Sequence, residues 1–393
     1  MSRFRFPAWP PARRSAPPAR GASVLSVLSA LSALSVLSAL SALSVLSALS
    51  ALPAHAQSGG NGTIYYGHYG RSILVLDERT MRVTDTIPVT VGIPLIFGVS
   101  DDRRRFYVGE PHNEQMEIIE IATKRQVDRF TLSQGNRRVR ISGFSLDPRE
   151  QYAIMVIKTI TKEADRFVIG RPTLVKFDLA SKTVTDTIPW PGGQESDGAR
   201  IIFSPDGRLF YYFADDILVF DAATLKQVDR WAYSTALDPG MGTFGFGFPR
   251  DFYEAPGFYT GVFRVTDPVN RRSMMGVATV NLAERTVDWY TLGPSSPTSF
   301  VMSPDRKRAY GLRQEVGNWE LWTFDLENRR VLGKTPFNGR PRMRLNVSSN
   351  GRLLYISGAG QTIDIHDAAT FRLLRTVEVG GDVTSMIHFP PAR

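Results

Sequence analysis

The 393-residue sequence contains no cysteine. This absence excludes disulfide bonds, a lipid-bearing cysteine, a CxxCH haem attachment and a thioether-linked quinone cofactor within the chain. Outside the cytoplasm, the stability of such a protein has to come from topology and packing instead of disulfide bonds.

Histidine is scarce as well, with five in the chain, and the motifs of common enzyme classes are missing. There is no HExxH, no GxSxG nucleophile elbow, no phosphate-binding loop and no Cys/His metal spacing. The sequence therefore predicts no catalytic residue and no metal ligand in this chain.

The first 56 residues lack acidic side chains and differ in composition from the rest. They contain five arginines, then ten Ser-(Val/Ala)-Leu triplets from Ser23 to Leu52, then Ala54-His55-Ala56 before Gln57. A basic start, an apolar middle and an Ala-x-Ala exit are typical of a secretory signal peptide. We expect residues 1–56 to be a signal peptide and the mature protein to be periplasmic or secreted. A retained transmembrane anchor is the alternative.

The positive charge of the chain is due in part to this leader. The chain has 47 basic and 38 acidic residues, and removal of the five leader arginines leaves 42 basic residues against 38 acidic ones. A net charge this small gives little reason to expect a nucleic-acid partner. We also expect no membrane association after the leader is cleaved.

One sequence unit recurs seven times after the leader, as in "LVLDERTMRVTDTIPV" (Leu74 to Val89) and "VKFDLASKTVTDTIPW" (Val175 to Trp190). Each copy reads as a strand, a tight Asp-x-x-Thr turn and a second strand. All copies but the first are preceded by another hairpin, for example "IIFSPDGRLFYYF" (Ile201 to Phe213), whose Pro and Asp favour a type I turn. Two hairpins in tandem make a four-stranded blade, and about 47 residues per unit suits a β-propeller. The recurrent Asp residues are interpreted as turn formers.

The first unit is one strand short, and the chain ends in an additional strand, "DVTSMIHF" (Asp382 to Phe389). Its apolar positions match those of the six innermost strands, and an unpaired strand would leave an open sheet edge. We therefore predict an all-β, seven-bladed β-propeller over residues 57–393, with the first blade completed by the C-terminal strand.

Two blades carry extra length between their second and third strands. The third has "TKEADRFVIGRP" (Thr161 to Pro172) and the fifth has "TDPVNRRS" (Thr266 to Ser273). In propellers these loops share a face with the blade-to-blade connections, and ligands and partners usually dock on that face.

The blade pattern resembles the YVTN family of bacterial exported propellers. The order of irregularities, with a long third blade after "SLDPREQYAIMV", a short fourth and an extended fifth through "RRSMMGVATVNLAERTV", resembles the propeller (beta) subunit of quinohaemoprotein amine dehydrogenases. A more distant likeness is to the heavy chain of methylamine dehydrogenase. The resemblance covers nearly all of residues 62 to 389.

This resemblance implies a non-catalytic periplasmic subunit that supports a small partner bearing a tryptophan-derived quinone, together with a haem subunit. The quinone and the catalytic base belong to the small partner in that family, so the resemblance implies no catalytic residue and no cofactor in this chain.

Two arginine clusters are candidate binding residues, because guanidinium groups present paired donors to carboxylates, phosphates or an acidic partner. Both clusters precede innermost strands and are expected at the channel mouth, although ordinary solvated loop charge is the alternative. Their members are Arg137, Arg138 and Arg140 in "RRVR", and Arg340, Arg342 and Arg344 in "RPRMR".

Four further side chains are weaker candidates. His68 and His112 lie on loops of the expected docking face, and His388 lies in the axial column of the terminal strand, where it either faces a channel ligand or is a satisfied core histidine. Trp319 is an interface residue if it is exposed and a core residue if it is packed. His366 is expected to be structural.

Three functions remain open at this point. The first is the supporting subunit described above, and the second is a solitary ligand- or protein-binding propeller that uses the arginine-lined mouth. The third is a lactonase-like hydrolase with an axial metal, for which no convincing Glu/Asn/Asp set is present.

Overall fold

The computed structural model describes residues 58–214, 216–233, 245–246, 252–267, 269, 271–315 and 317–391. The predicted signal peptide lies outside the described residues. Within the described part, twenty-nine strands and one short 3₁₀ helix (Pro191–Gly193) are present.

The strands assemble into seven antiparallel sheets, which we number as blades 1 to 7. Blade 1 contains β1 (Thr63–His68), β2 (Ser72–Asp77), β3 (Arg82–Pro88) and the terminal strand β29 (Val383–Phe389), and blade 2 contains β4 (Ile96–Val99), β5 (Arg105–Gly109), β6 (Gln115–Glu120) and β7 (Arg125–Thr131). Blade 3 contains β8 (Arg137–Leu146), β9 (Tyr152–Lys162), β10 (Phe167–Ile169), β11 (Thr173–Asp178) and β12 (Thr183–Ile188), and blade 4 contains β13 (Arg200–Phe203), β14 (Leu209–Phe213), β15 (Ile217–Asp221) and β16 (Gln227–Trp231).

The remaining three blades have four strands each. Blade 5 contains β17 (Gly245–Phe246), β18 (Phe258–Asp267), β19 (Arg272–Asn281) and β20 (Thr286–Pro294), and blade 6 contains β21 (Val301–Met302), β22 (Arg308–Glu315), β23 (Asn318–Asp325) and β24 (Arg330–Pro336). Blade 7 contains β25 (Arg344–Val347), β26 (Leu353–Ser357), β27 (Thr362–Asp367) and β28 (Leu373–Glu378).

Repeated turns explain why the same hairpin forms seven times. In blade 4, Asp221 Oδ1 accepts hydrogen bonds from the Thr224 backbone N–H (2.7 Å) and hydroxyl (2.8 Å), and Leu225 then adopts a φ of 58°. A residue in this left-handed region after a turn produces a β-bulge, and the register shifts between Val219 and Phe220 accordingly. These aspartates act as turn formers, as expected from their recurrence.

The terminal strand closes the ring. β29 pairs antiparallel with β1 from Thr63 opposite Phe389 to His68 opposite Val383. Apolar clusters join each neighbouring pair of blades, and β29 contributes to two of them: Val383 and Met386 pack against blade 7, and Ile387 packs against blade 2. The fold is thus the predicted all-β seven-bladed β-propeller, with its first blade completed by the C-terminal strand.

The two ends of the ring differ in their loops. We call the end with the hairpin turns at residues 78–81 and 204–208, and their equivalents, the turn face. We call the other end the mouth face. The innermost strands begin there, at residues such as Arg137 and Arg344, and the loops between second and third strands also lie there.

The extra length of blade 3 is more ordered than expected. The segment expected only as added length between strands contains β10, which pairs with the end of β9 from Phe167 opposite Lys162 to Ile169 opposite Ile160. The signal was weak because only Phe167, Val168 and Ile169 are consecutively apolar in a polar segment.

Candidate functional site

A cavity of about 440 Å³ opens on the mouth face between blades 7 and 1. The start of β25, the end of β26 and the start of β29 form most of its wall. Blade 6 contributes one side chain, Gln314, and the connection between blades 1 and 2 contributes Leu95. The lining residues are Tyr69, Leu95, Gln314, Arg342, Met343, Arg344, Ser357, Gly358, Ala359, Asp382, Val383, Thr384 and Ser385.

Two of the predicted arginines, Arg342 and Arg344, line this cavity. Among the described residues, neither guanidinium has a hydrogen-bond or ion-pair partner. The protein around Arg344 removes part of its hydration, and this desolvation lowers the pKa of the guanidinium. Arg344 nevertheless remains accessible to solvent through the mouth, and it stays cationic because an arginine pKa starts so high.

Met343, which lies between the two arginines, is fixed in place. The Gln314 side chain donates to the Met343 carbonyl (2.8 Å) and accepts from the Met343 N–H (2.8 Å). The Met343 side chain is buried, and Arg342 adopts a φ of 57°, which is uncommon for a residue with a Cβ. The backbone that carries both arginines is therefore held by a side-chain clamp from the neighbouring blade.

A hydroxyl without a partner belongs to the same cavity. Ser385 is only 8% exposed, and its Oγ lacks a hydrogen-bond partner among the described residues. Burying a hydroxyl in this way has a free-energy cost unless a ligand or water completes its bonding. Gly67 stands opposite, where an added Cβ would come within 2.5 Å of this Oγ.

Arg340, the remaining arginine of "RPRMR", does not line the cavity. Its guanidinium donates to the Thr362 hydroxyl (2.5 Å) and carbonyl (2.8 Å) and lies 3.6 Å from Asp364. Arg340 thus ties the approach to β25 onto the β27 strand of the same blade.

The blade 3 arginines do not line this cavity. Arg138 forms an ion pair with Glu114 (3.1 Å), and Arg140 donates to the His112 carbonyl (3.1 Å). The Arg137 side chain has no such partner among the described residues. The two arginine clusters are therefore separate, and only Arg342 and Arg344 share one concave surface.

His68, His112 and Trp319 lie on the mouth face, where their loops were expected. The His68 Nδ1 accepts from the Gly70 N–H (3.1 Å), and the ring lies against the backbone at Gly381. The exposed His112 is fixed through its backbone N–H, which donates to Glu110 (2.7 Å). Trp319 is half-buried, and its ring packs against Gly339 so closely that an added Cβ there would come within 2.5 Å. Its contacts are those of a packing residue.

His388 lies near the turn face, in a buried polar cluster with Glu78. The His388 Nε2 lies 3.1 Å from Glu78 Oε1, which is an ion-pair distance without an aligned hydrogen bond. The Glu78 carboxylate also accepts from the Gly62 N–H (2.6 Å), the Ser349 N–H (2.7 Å) and the Tyr355 hydroxyl (3.1 Å). This cluster links the segment before β1, the terminal strand and blade 7.

Glu78 itself has a perturbed pKa. Burial acts to raise the pKa, but the His388 imidazole and the Ser349 donors outweigh it and lower the pKa of the carboxyl. Burial, reinforced by the same carboxylate, raises the pKa of the Tyr355 hydroxyl. Glu78 is thus held as a carboxylate in a fully enclosed site.

Glu78 was not among the sequence candidates, although the repeat contains a signal for it. The equivalent position after the third strand is apolar in every other unit, where the residues are Ile121, Leu179, Ala222, Leu282, Leu326 and Ala368. In Glu78 and in each of these six residues, the backbone N–H donates to the carbonyl of the residue just before the blade's second strand. This shared hydrogen bond confirms that the seven positions are equivalent. A single charged residue in an otherwise apolar column indicates a special partner, and that partner is His388.

A segment of blade 5 reaches across the ring on the turn face. The Tyr253 hydroxyl donates to the Val347 carbonyl of blade 7 (3.2 Å) and lies 3.3 Å from His388 Nδ1. The neighbouring Phe252 ring lies 5.6 Å from the Phe389 ring of blade 1, and its carbonyl accepts from Arg103 of blade 2 (3.3 Å). These contacts join blade 5 to blades 1, 2 and 7 on the turn face.

Two hairpins project from the mouth face with apolar side chains in solvent. In blade 3, β10 exposes all three residues, with Phe167 and Ile169 each 64% exposed. In blade 5, the long hairpin of β18 and β19 ends near Val269, which is 83% exposed. Both projections flank the short blade 4.

The described residues contain no group of three or more His, Cys, Asp or Glu side chains that could hold a metal ion. Across the same part of the chain, no helix is long and apolar enough to span a membrane. What the mouth cavity offers is charge and hydrogen-bond donors, which suit binding.

The geometry defines the protein as a seven-bladed β-propeller, and comparison with solved structures agrees with that class. The structure is similar to a protein of unknown function from Desulfotomaculum acetoxidans DSM 771, with a TM-score of 0.53 and 15% identity over 85% of this chain and 100% of the other. It is also similar to apo AztD from Citrobacter koseri, with a TM-score of 0.50 and 14% identity over 83% of this chain and 97% of the other.

A weaker similarity, with a TM-score of 0.48, is to hydrazine synthase from Kuenenia stuttgartiensis, at 13% identity over 83% of this chain and 95% of the other. Identities this low indicate a shared fold and nothing more specific. No protein-family model matches the sequence, and no curated protein matches it.

Proposed function

We propose that this chain is an exported, non-catalytic propeller subunit that supports a partner protein on its mouth face. The observation that carries the proposal is the apolar strand β10, whose Phe167, Val168 and Ile169 side chains are all exposed. Native proteins usually charge or cover the exposed side chains of an edge strand, since apolar ones otherwise promote association. An edge strand that keeps three apolar residues in solvent is best explained by a partner that covers it.

The second projecting hairpin supports the same face. The hairpin of blade 5 carries Val269 beyond the sheet, and blade 4 between the two projections has no such extension. A small protein seated over blade 4 would contact both hairpins.

The resemblance to the propeller subunit of quinohaemoprotein amine dehydrogenases gives this proposal its particular form. The partner would then be a small subunit bearing a tryptophan-derived quinone, in a periplasmic complex that also includes a haem subunit. The propeller would wall the substrate pocket without contributing a catalytic group.

Co-purification from the native host tests the proposal. We expect the wild-type chain to bring down a small subunit that stains for quinone by redox cycling, and the Phe167→Ser/Ile169→Ser double variant to lose it. The control is Val127→Ser/Val228→Ser, which changes two residues that are 52% and 58% exposed on the outer strands of blades 2 and 4. A wild-type chain recovered without a quinone-bearing subunit, or a partner retained by the β10 variant, would contradict the proposal.

A further inference from the structure

We infer that the cavity between blades 7 and 1 binds a small organic carboxylate, held by Arg344 and Arg342 with its apolar body against Tyr69, Leu95 and Ala359. This site is distinct from the β10 projection, and it does not depend on the proposed partner. Three independent features of the cavity carry the inference.

The first feature is the pair of unused cations. Arg340 of "RPRMR" is engaged by the Thr362 carbonyl, and Arg138 and Arg140 of "RRVR" are engaged by Glu114 and by the His112 carbonyl. Arg342 and Arg344 line a concave surface instead, with no such partner among the described residues. A guanidinium presents parallel N–H donors that match the two oxygens of a carboxylate.

The second feature is preorganisation. The Gln314 amide clamps Met343 on both its N–H and its carbonyl, so the backbone between the two arginines is fixed before any ligand arrives. Binding energy is lost when a site has to be ordered by its ligand, and a clamp of this kind reduces that loss.

The third feature is Ser385, whose buried Oγ lacks a protein partner. Ser385 belongs to the β29 wall of the cavity, with its Oγ enclosed, whereas the arginines lie on the β25 wall. A ligand oxygen seated between the two walls can satisfy the hydroxyl once the Ser385 side chain turns toward the cavity. Its position therefore predicts hydrogen bonding to the ligand from a second direction.

The lining also selects among anions. Tyr69, Leu95 and Ala359 have accessible surface in this lining and give the cavity an apolar part, which suits an organic molecule better than an inorganic ion. Asp382 is part of the same lining, and its charge disfavours a ligand with two negative charges. A carboxylate monoanion fits this balance better than a phosphate.

Isothermal titration with phenylacetate tests the site, with phenylacetamide as the neutral analogue and inorganic phosphate as the competing anion. We expect saturable binding of phenylacetate, no measurable binding of phenylacetamide, and at least about tenfold weaker phenylacetate binding in Arg344→Gln and Arg342→Gln. The control Arg129→Gln removes the same charge from the outer strand of blade 2 and should bind phenylacetate as the wild type does.

Ser385→Ala separates a binding role from a structural one. We expect this variant to bind phenylacetate several-fold more weakly while its melting temperature stays the same or rises, because the lost hydroxyl has no protein partner. Thermal melts of all variants confirm folding. The inference is overturned if phenylacetate shows no saturable binding, or if phenylacetamide or phosphate binds as tightly as phenylacetate. It is also overturned if Arg344→Gln and Arg342→Gln bind phenylacetate as tightly as Arg129→Gln does.

Discussion

The turn face and the mouth face of the ring differ in whether their charged side chains have hydrogen-bond partners within the protein. On the turn face, the Glu78 carboxylate is enclosed and receives donors from Gly62, Ser349 and Tyr355, with His388 alongside. On the mouth face, Arg342 and Arg344 line an open cavity without such partners. Saturated polar groups specify and stabilise a structure, whereas groups left unsatisfied at a concave surface are available to a ligand.

This difference assigns His388 a structural role. From the sequence it was the residue of the terminal strand most open to a functional interpretation. Its contacts with Glu78 and Tyr253 are those of a closure that joins the segment before β1 and the terminal strand to blades 5 and 7.

The largest effect is expected from removing the strand that closes the ring. Truncation after Gly381 deletes β29, leaves the β1 edge unpaired and removes Val383, Met386 and Ile387 from two apolar clusters. We expect aggregation or loss of the cooperative thermal transition, measured by circular dichroism and size-exclusion chromatography. A cooperative melt at the wild-type temperature would show that β29 does not close the propeller.

The next largest effect is expected at Glu78. Glu78→Ala leaves several buried donors and His388 without their acceptor, and we expect it to lower the free energy of unfolding by about 3 to 5 kcal/mol. The control Asp186→Ala removes an exposed acid from β12 and should change the free energy by less than about 0.5 kcal/mol. Urea unfolding measures both, and similar values for the two variants would remove Glu78 from the closure.

Acid should weaken the turn face through the same carboxylate. Because the pKa of Glu78 is lowered in the folded state, its contribution is present above the unfolded pKa of about 4.3 and is lost as the pH falls through the folded value. We expect Glu78→Gln to make the free energy of unfolding depend less on pH below about pH 4.5. Urea titrations at pH 7, 5, 4 and 3.5 measure this slope, and a slope equal to that of the wild type would contradict the assignment.

The smallest effect separates two arginines of one cluster. Arg340→Gln loses charged hydrogen bonds to Thr362, and we expect a loss of about 1 to 2 kcal/mol in the free energy of unfolding. Arg344→Gln loses no protein hydrogen bond and should change the stability by less than about 0.5 kcal/mol. Equal losses in urea unfolding would mean that Arg344 has a structural partner.

The sequence predicted the fold better than it predicted the site. Turn motifs and alternating apolar residues are local signals repeated seven times, so they establish the blade count, and the surplus strand "DVTSMIHF" determines the closure. The partners of Glu78 were not predictable in this way because His388 lies about three hundred residues away, and their contact exists only after the ring has closed.

The arginines show the same limit at shorter range. "RPRMR" indicated a basic segment at the mouth, but which of its three guanidinium groups remain unpaired depends on Thr362 and Gln314, which belong to other strands. The hydrogen bond from Tyr253 to the Val347 carbonyl, across the ring, could not be predicted from any local sequence pattern.

Thermal melts of Glu78→Ala and Arg344→Gln, each with and without phenylacetate, test the division between the two faces most directly. We expect Glu78→Ala to melt well below the wild type and still be stabilised by phenylacetate, whereas Arg344→Gln should melt like the wild type and gain no stability from the ligand. If Arg344→Gln is stabilised by phenylacetate as much as the wild type, or if Glu78→Ala melts at the wild-type temperature, the division is wrong.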